Sequence, residues 1–479
     1  MKTMFQKSKK GRTGVLPENT DQKAGDMLPE SLLRSEPAVL PELSELDVVR
    51  HFTRLSRRNF GVDGNFYPLG SCTMKYNPKF NEKLASLPGF TDLHPLEPQL
   101  RGAGQYTQGA LEVIYSTEQL LCEITGMDAF TLQPLAGAHG ELTGAMLIAA
   151  YHNKKGNKKT KIIVPDSAHG TNPASAAIAG FDVVSIESKD GIIDPEALKE
   201  NLDENVAALM MTCPNTLGLF EDYLPEIVDM LHSVDALLYY DGANLNAIMG
   251  QMRVGDVGFD VVHLNLHKTF GTPHGGGGPG SGPVGVNKKL EPFLPVSRVV
   301  RLEDGQYFLD YDYPDSIGFI APFYGNFGVI LKAYAYILRL GREGLSRASE
   351  YAVLAANYVR KRLEKHLHIP YNRTCMHEFV ASAVNQAQNG VRAVDIAKAL
   401  LDKGHHAPTV YFPLIVKECL MIEPTETESK ETLDKFVDDL IEILQTAEKN
   451  PQEIQNAPYT TPVRRLDEVR AAKKMELRE

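Results

Sequence analysis

Tryptophan is absent from the 479 residues, so an aromatic cap over any ligand has to come from Tyr, Phe or His. No apolar run approaches the roughly 18 residues a membrane-spanning helix needs. The start, Met1 to Phe5, is basic without an apolar stretch behind it, so no secretory signal is expected and a cytoplasmic location is. Positive charge is in deficit: 50 Lys and Arg stand against 61 Asp and Glu, a net charge of -11. That argues against a nucleic-acid partner, which calls for a basic footprint. The five cysteines are odd in number and none are spaced CxxC, which argues against a disulfide framework or zinc knuckle and for reduced thiols. The nucleotide cradle GxxxxGK[ST] is missing, the turn Gln133 to Glu141 does not carry GxGxxG, and Leu264 after His263 rules out HExxH there.

What is present organises into four stretches. Residues 1–100 read as an N-terminal arm with short helices, one of them near Glu42 to Leu55, and a turn-rich aromatic segment from Asn65 to Pro78. Residues 101–325 read as a large α/β domain. A helix with apolar residues at helical spacing runs from Gln108 to Thr125 and stops at Gly126. Continuous Val/Ile/Leu runs follow at 129–133, 161–164, 182–186, 206–211, 235–240 and 259–266, the pattern of strands buried on both faces of a mostly parallel sheet. Helices lie between them, one opening at Asp194-Pro195 and one over Leu224 to Ser233. Residues 326–449 read as a smaller α+β C-terminal domain with helices at 326–341, 345–366 and about 430–448, and residues 450–479 as a polar tail.

Ligands of open parallel sheets bind beyond the C-terminal strand ends, and four such ends carry chemistry. The turn Gln133 to Glu141 contains Gly137 and Ala138 before a helix; small residues at a helix N-terminus suit a phosphate, and equally a tight turn. His169 follows a buried strand, where a neutral imidazole can stack on an aromatic cofactor or simply cap a helix. Asp241 closes an apolar run; buried there it needs a cationic partner, unless it is only a helix cap. Lys268 follows the run Val261 to Leu266 and precedes the glycines 275–278. At the inner end of a buried strand, desolvation favours its neutral amine, which Schiff-base chemistry requires. His263 and His267, read on one strand face, lie about 13 Å apart, too far to share a metal.

The order Gly-rich turn, His, Asp, Lys resembles the aspartate-aminotransferase-like, fold type I pyridoxal-phosphate enzymes. The segments "LGSCTMKYNP" (69–78), "LQPLAGAHGELTG" (132–144), "SAHGTNPASA" (167–176), "DGANLNAI" (241–248) and "NLHKTFGTPHGGGGPG" (265–280) narrow this. They resemble the glycine decarboxylase, or P-protein, family of the glycine cleavage system, and specifically the second subunit of its split form. "EPTETESK" (423–430) and "TTPVRRLDEV" (460–469) carry the resemblance to the C-terminus. It implies fold type I, pyridoxal phosphate on Lys268, Asp241 on the ring nitrogen and His169 over the ring. It further implies phosphate contacts from Gly137, Ala138 and Thr269, weaker cofactor contacts from Thr212 and Asn265, proton handling by His267, and Ser71, Cys72 and Thr73 closing over glycine. The implied partners are a lysine-less first subunit in an α2β2 assembly and the lipoylated H-protein, which receives the aminomethyl group as CO2 leaves. Leu135 stands where a smaller residue is expected. Other enzymes of this fold remain alternatives, among them amino-acid decarboxylases and cysteine desulfurases, although Cys375 and Cys419 lack the Gly/Ser-rich loop of a mobile catalytic cysteine. A scaffold that has kept the fold is the non-enzyme alternative, and Lys268 with Asp241 argues against it.

Overall fold

The computed structural model describes residues 2–14, 24–36, 38–100 and 103–475. The chain divides into two compact units, Met1–Gly61 with Thr461–Val463, and Val62–Thr460 with Arg464–Glu479. The first carries the helix Glu45–Ser56, which starts on Ser44, whose side chain accepts from the Asp47 N–H.

The second unit is built on a seven-stranded sheet. In chain order its strands are β1 (Ala129–Thr131), β2 (Lys161–Pro165), β3 (Asp182–Ile186), β4 (Val206–Met211), β5 (Leu237–Gly242), β6 (Val261–Leu264) and β7 (Val284–Val286). Their spatial order is β1-β7-β6-β5-β4-β2-β3. From β6 to β3 every pairing is parallel, and β7 runs antiparallel to both neighbours. The mostly parallel α/β sheet matches the expectation from sequence, but β7 was not expected. Its three residues, Val284 to Val286, sit behind a Gly/Pro run and carry too short a pattern to stand out.

The apolar runs of the inner strands are explained by burial on both faces, whereas β3, at the sheet edge, leaves Asp182, Val183 and Ser185 exposed, contrary to the expectation for its run. In β4 all six side chains are buried, and alternation divides them between two cores. Leu209 and Met211 pack with Leu238, Tyr240 and Val262 on one face, while Ala208 and Met210 pack with Leu237, Tyr239 and Val261 on the other. Helices cover both faces. Helix α1 (Gln108–Thr125) ends on Gly126, whose φ of +77° suits a residue without Cβ. Helix α2 (Gly137–Lys155) ends on Gly156 with His152, Lys154 and Lys155 in its last turn, where cations complement the dipole.

The long helix α3 (Phe327–Leu363) is broken at Gly341, which has φ 60° and ψ -175°, so the two helices expected here are present. They lead to a three-stranded antiparallel sheet, β8 (Phe379–Ser382), β9 (Thr409–Val410) and β10 (Cys419–Ile422), in the order β8-β10-β9. Helix α4 (Lys430–Lys449) buries Leu433, Phe436, Val437 and Leu440 in the core beside it.

One local expectation is corrected. Strand β6 stops at Leu264, and Leu266–Thr269 is a helical turn. Lys268 is therefore on a turn after the strand rather than on it, and the strand spacing assumed between His263 and His267 does not apply. Polar Asn265 breaks the apolar run, and the chain must turn there to bring the lysine back over the sheet end.

Candidate active site

The C-terminal ends of β2, β4, β5 and β6 open on a cavity of about 250 Å³. Ser71, Gly137, Ala138, His169, Thr212, Asp241, Asn265 and Lys268 line it, so eight residues singled out from the sequence converge there. Asp241 is the penultimate residue of β5, and parallel register sets His263 of β6 directly beside it. Asp241 is buried, and its carboxylate accepts from Asn172 Nδ2 at 3.0 Å and from the Ala243 N–H at 3.1 Å. Burial pushes its pKa up, but His263, the Ala243 N–H, Lys268 and Asn172 outweigh burial and hold the acid below its ordinary range. It is thus a fixed negative charge at the floor of the cavity.

At the phosphate end, Gly137 opens α2. A Cβ there would lie 2.7 Å from the Asn265 amide, and one on Gly282 would lie 2.1 Å from the Ala136 carbonyl oxygen. The helix N-terminus is therefore stripped of side chains where a ligand's anion would approach. Leu135 does not obstruct this turn: its N–H donates to His139 Nδ1. His169 is exposed at the rim; the protein packed around it desolvates the ring and lowers its pKa, and its Nδ1 lies 2.7 Å from Thr171 Oγ1.

On the opposite side stands the loop from the arm. Lys268 Nζ donates to the Ser71 carbonyl at 2.8 Å. Ser71 and Thr73 have φ of 66° and 50°, conformations costing on the order of 1–3 kcal/mol each in a residue with a Cβ. Two acids hold them there. The Ser71 N–H donates to Glu378 at 2.6 Å. The Thr73 N–H and hydroxyl donate to Glu423 at 2.9 and 2.6 Å, and Asn244 donates to the same carboxylate. Glu378 precedes β8 and Glu423 follows β10, so the register Phe379–Ile422 places them side by side. Burial and then Glu423 push Glu378 well above the ordinary carboxylate range, so it holds a proton.

Four residues expected at the site do not line the cavity. Cys72 and Thr73 lie behind Ser71, and Thr73 is spent on Glu423. Thr269 is buried, and its hydroxyl accepts from the Leu245 N–H at 2.8 Å. His267 accepts from the Ser281 N–H at 3.2 Å and meets His274 edge-on at 5.1 Å. Burial, with His274 and Lys268, drives His267 to about 3 and leaves it neutral. Sequence reasoning missed Glu141, Thr216, Ala243, Asn244, His377 and Glu378, all at the cavity. Glu141, Ala243 and Asn244 lay in segments that had attracted notice, whereas Thr216, His377 and Glu378 did not.

The residues fit pyridoxal phosphate. Buried polar atoms without a hydrogen-bond partner gather at the cavity, among them Thr212 Oγ1, Asn265 Oδ1 and Glu141 Oε2, which a polar ligand would satisfy. Glu141, Asp241 and His263 bring three potential cation-binding atoms within 4.8 Å of one another, as do His377, Glu378 and Glu423. A protonated pyridine nitrogen would answer the first group, and the second lies near the Lys268 amine.

Comparison with known proteins agrees with this geometry. Residues 15–305 match the family model for the glycine cleavage system P-protein, and residues 348–462 match the glycine dehydrogenase C-terminal domain. The chain is 60% identical over 475 residues to a probable glycine dehydrogenase (decarboxylating) subunit 2 of Caldanaerobacter subterraneus, covering 98% of this chain and 97% of that one. It is 58% identical over 483 residues to the protein of the same description in Listeria welshimeri, covering 100% and 98%. Among solved structures it is similar to an inhibitor-bound glycine decarboxylase (P-protein), with a TM-score of 0.72 at 21% identity over 88% of this chain and 95% of that one. A cysteine desulfurase from Escherichia coli shares the fold, with a TM-score of 0.61 at 15% identity over 81% and 95%.

Proposed function

The chain belongs to the glycine cleavage system P-protein family, and from that premise we propose how its residues divide the work. It is a pyridoxal-phosphate enzyme, the second subunit of a glycine dehydrogenase (decarboxylating) that acts with a partner subunit. The observation that carries the residue assignment is the placing of Lys268 and Asp241 on one small cavity at the strand ends. When bound, pyridoxal phosphate supplies an electron sink for the electron pair left as CO2 departs from glycine.

The chain supplies attachment, orientation and charge. The Lys268 amine is the nucleophile for the cofactor aldehyde, and the Ser71 carbonyl holds that amine when it is free. Asp241 fixes the charge of the ring nitrogen. His169 would flank the ring, and Thr212 and Asn265 would offer it unpartnered polar atoms. Gly137 and Ala138 present backbone N–H groups to the phosphate at the start of α2. The loop Ser71 to Thr73, clamped by Glu378 and Glu423, shields the reacting carbon from water. Thr269 and His267 support this shell through Leu245 and Ser281. We read residues 101–325 as the cofactor-binding part and 326–449 as the smaller part that brings the clamp.

The acceptor in this reading is the oxidised lipoyl disulfide of the H-protein. The electron pair left on carbon forms a C–S bond, the S–S bond breaks, and the released sulfur takes a proton. The assembly is an α2β2 heterotetramer in the cytoplasm, with the lysine-less subunit as partner. Among the described residues no helix is long and apolar enough to cross a membrane. Exchange of labelled bicarbonate into the glycine carboxyl is the test. It should require this chain, the partner subunit and H-protein together; vigorous exchange by this chain alone would contradict the split assignment.

A further inference from the structure

The floor of the cavity holds more acid than a ring nitrogen needs. Glu141 Oε1 and Asp241 Oδ1 lie 3.9 and 3.4 Å from the same atom, His263 Nε2. All three side chains are buried, His263 completely. The other ring nitrogen, Nδ1, lies 2.6 Å from the Tyr239 hydroxyl. Tyr239 is two residues before Asp241 on β5, so both project to the same sheet face, and His263 is their neighbour on β6.

This arrangement selects one protonation pattern. An imidazole lone pair aimed at two carboxyl groups would be repelled, whereas an N–H there is attracted. The proton of neutral His263 therefore sits on Nε2, and Nδ1 accepts from the Tyr239 hydroxyl. Burial, followed by Lys268 and His169, keeps the ring from gaining a second proton despite Asp241. Two ionised carboxylates this close and out of water repel strongly, so one keeps its proton. Asp241 receives two hydrogen bonds besides facing His263. Glu141 has one oxygen without any partner, and burial, then Asp241, raise its pKa to about 8. Glu141 is the acid that stays neutral.

We propose that Tyr239, His263 and Glu141 are positioning residues that set the ring-nitrogen site to a single negative charge, placed on Asp241 and aimed at the pyridine nitrogen. Tyr239 locks the imidazole tautomer. The His263 N–H lowers the basicity of Asp241, so that the shared proton stays on the ring instead of passing to the carboxylate. Neutral Glu141 closes the floor without adding a second charge. The inference rests on the pyridoxal-phosphate reading of the cavity and adds the residues that tune it.

The test uses the full-length chain loaded with pyridoxal phosphate carrying ¹⁵N in the ring, read at neutral pH by the ring-nitrogen resonance and by the cofactor dissociation constant. The unaltered chain should give the pyridinium resonance. His263→Leu should move it toward the neutral-pyridine position and weaken cofactor binding measurably, because the 3.4 Å electrostatic contact with Asp241 is lost. Tyr239→Phe should move it in the same direction by less, and His263→Gln, which restores an N–H donor, should recover most of the shift. Glu141→Gln should leave the resonance in place. Should His263→Leu fail to fold, Tyr239→Phe against His263→Gln decides the matter. A pyridinium resonance unmoved in every folded variant overturns the network while leaving the cofactor reading intact. A resonance displaced by Glu141→Gln overturns the neutrality of Glu141. Failure of the unaltered chain to bind the cofactor overturns both readings.

Discussion

Replacing Lys75 by Met should weaken the fold and loosen the active site together. Lys75 stands two residues after Thr73, and its side chain is 1% exposed. Its ammonium lies 2.7 Å from Glu426 Oε1, 3.2 Å from the Tyr336 hydroxyl and 3.3 Å from Asn246 Oδ1. One charge thus ties the loop carrying Ser71 to α3, to the segment after β5 and to the segment after β10. Met keeps most of the volume but leaves the Glu426 carboxylate, 9% exposed, without its cation. Glu426 Oε2 has no other partner to share the burden. Removing one member of a buried pair costs about 3–5 kcal/mol, against about 0–1 kcal/mol for a pair at the surface. Burial opposes the ammonium, but Glu426 and Tyr336 outweigh it and raise the Lys75 pKa above its ordinary value. Its contribution is therefore fully present below the unfolded-state value of about 10.4 and fades only as pH rises through the higher folded-state value.

The assay is denaturant unfolding of the full-length chain at neutral pH in a double-mutant cycle with Glu426→Gln. Lys75→Met alone should lose about 3–5 kcal/mol. The double variant should recover at least ~2 kcal/mol, because the stranded charge is gone. The cofactor dissociation constant should rise in the single variant as Ser71 loses its anchor. A single-variant loss below ~1 kcal/mol, the surface-pair range, or strictly additive losses would refute the reasoning.

Other outcomes follow from the site. Lys268→Ala should abolish the visible absorbance band of the cofactor-loaded chain; a band that survives would place the attachment on another lysine. Asp241→Asn should keep cofactor binding but lower bicarbonate exchange at least about 100-fold, since it removes the charge fixed at the ring nitrogen; near-normal exchange would contradict that role. Gly282→Ala puts a Cβ 2.1 Å from the Ala136 carbonyl oxygen, so it should cost about 1–3 kcal/mol and weaken cofactor binding, as calorimetry and equilibrium dialysis would detect. Glu141 has a folded pKa of about 8, above the ordinary carboxylate value because of burial and then Asp241. Its contribution is present below the unfolded value and lost as pH rises toward 8, so Glu141→Gln should flatten the decline in apoprotein stability between about pH 5 and 8; an unchanged slope would show that Glu141 is already ionised.

Much of the architecture was legible because parallel strands buried on both faces leave continuous apolar runs. The strand at 206–211 and the helices at 108–125 and 224–233 coincide with their sequence patterns residue for residue; the strand at 182–186 has the expected bounds but is a largely exposed edge strand instead of one buried on both faces. Lys268, Asp241, His169 and Gly137 were legible because each closes a strand or lies within a few residues of its end, where ligands of such sheets bind. The turn at Leu266–Thr269 was not, since apolar Leu266 continues the preceding run and only Asn265 marks the break.

The sequence by itself determined the parallel strands of the sheet, the order of the reactive residues along them and the pyridoxal chemistry, because periodicity and strand-end position are local properties of the chain. It could not tell which side chains face each other across strands or from distant segments. His263 met Asp241 through the register of β5 and β6, and Tyr239 completed the contact from the same strand. Glu378 came to Ser71 across 307 residues of chain, and Glu423 to Thr73 across 350. The tertiary structure decided these pairings, because burial charges a high cost for unpartnered carboxylates and positive φ values, and only the folded chain brings together the groups that offset them.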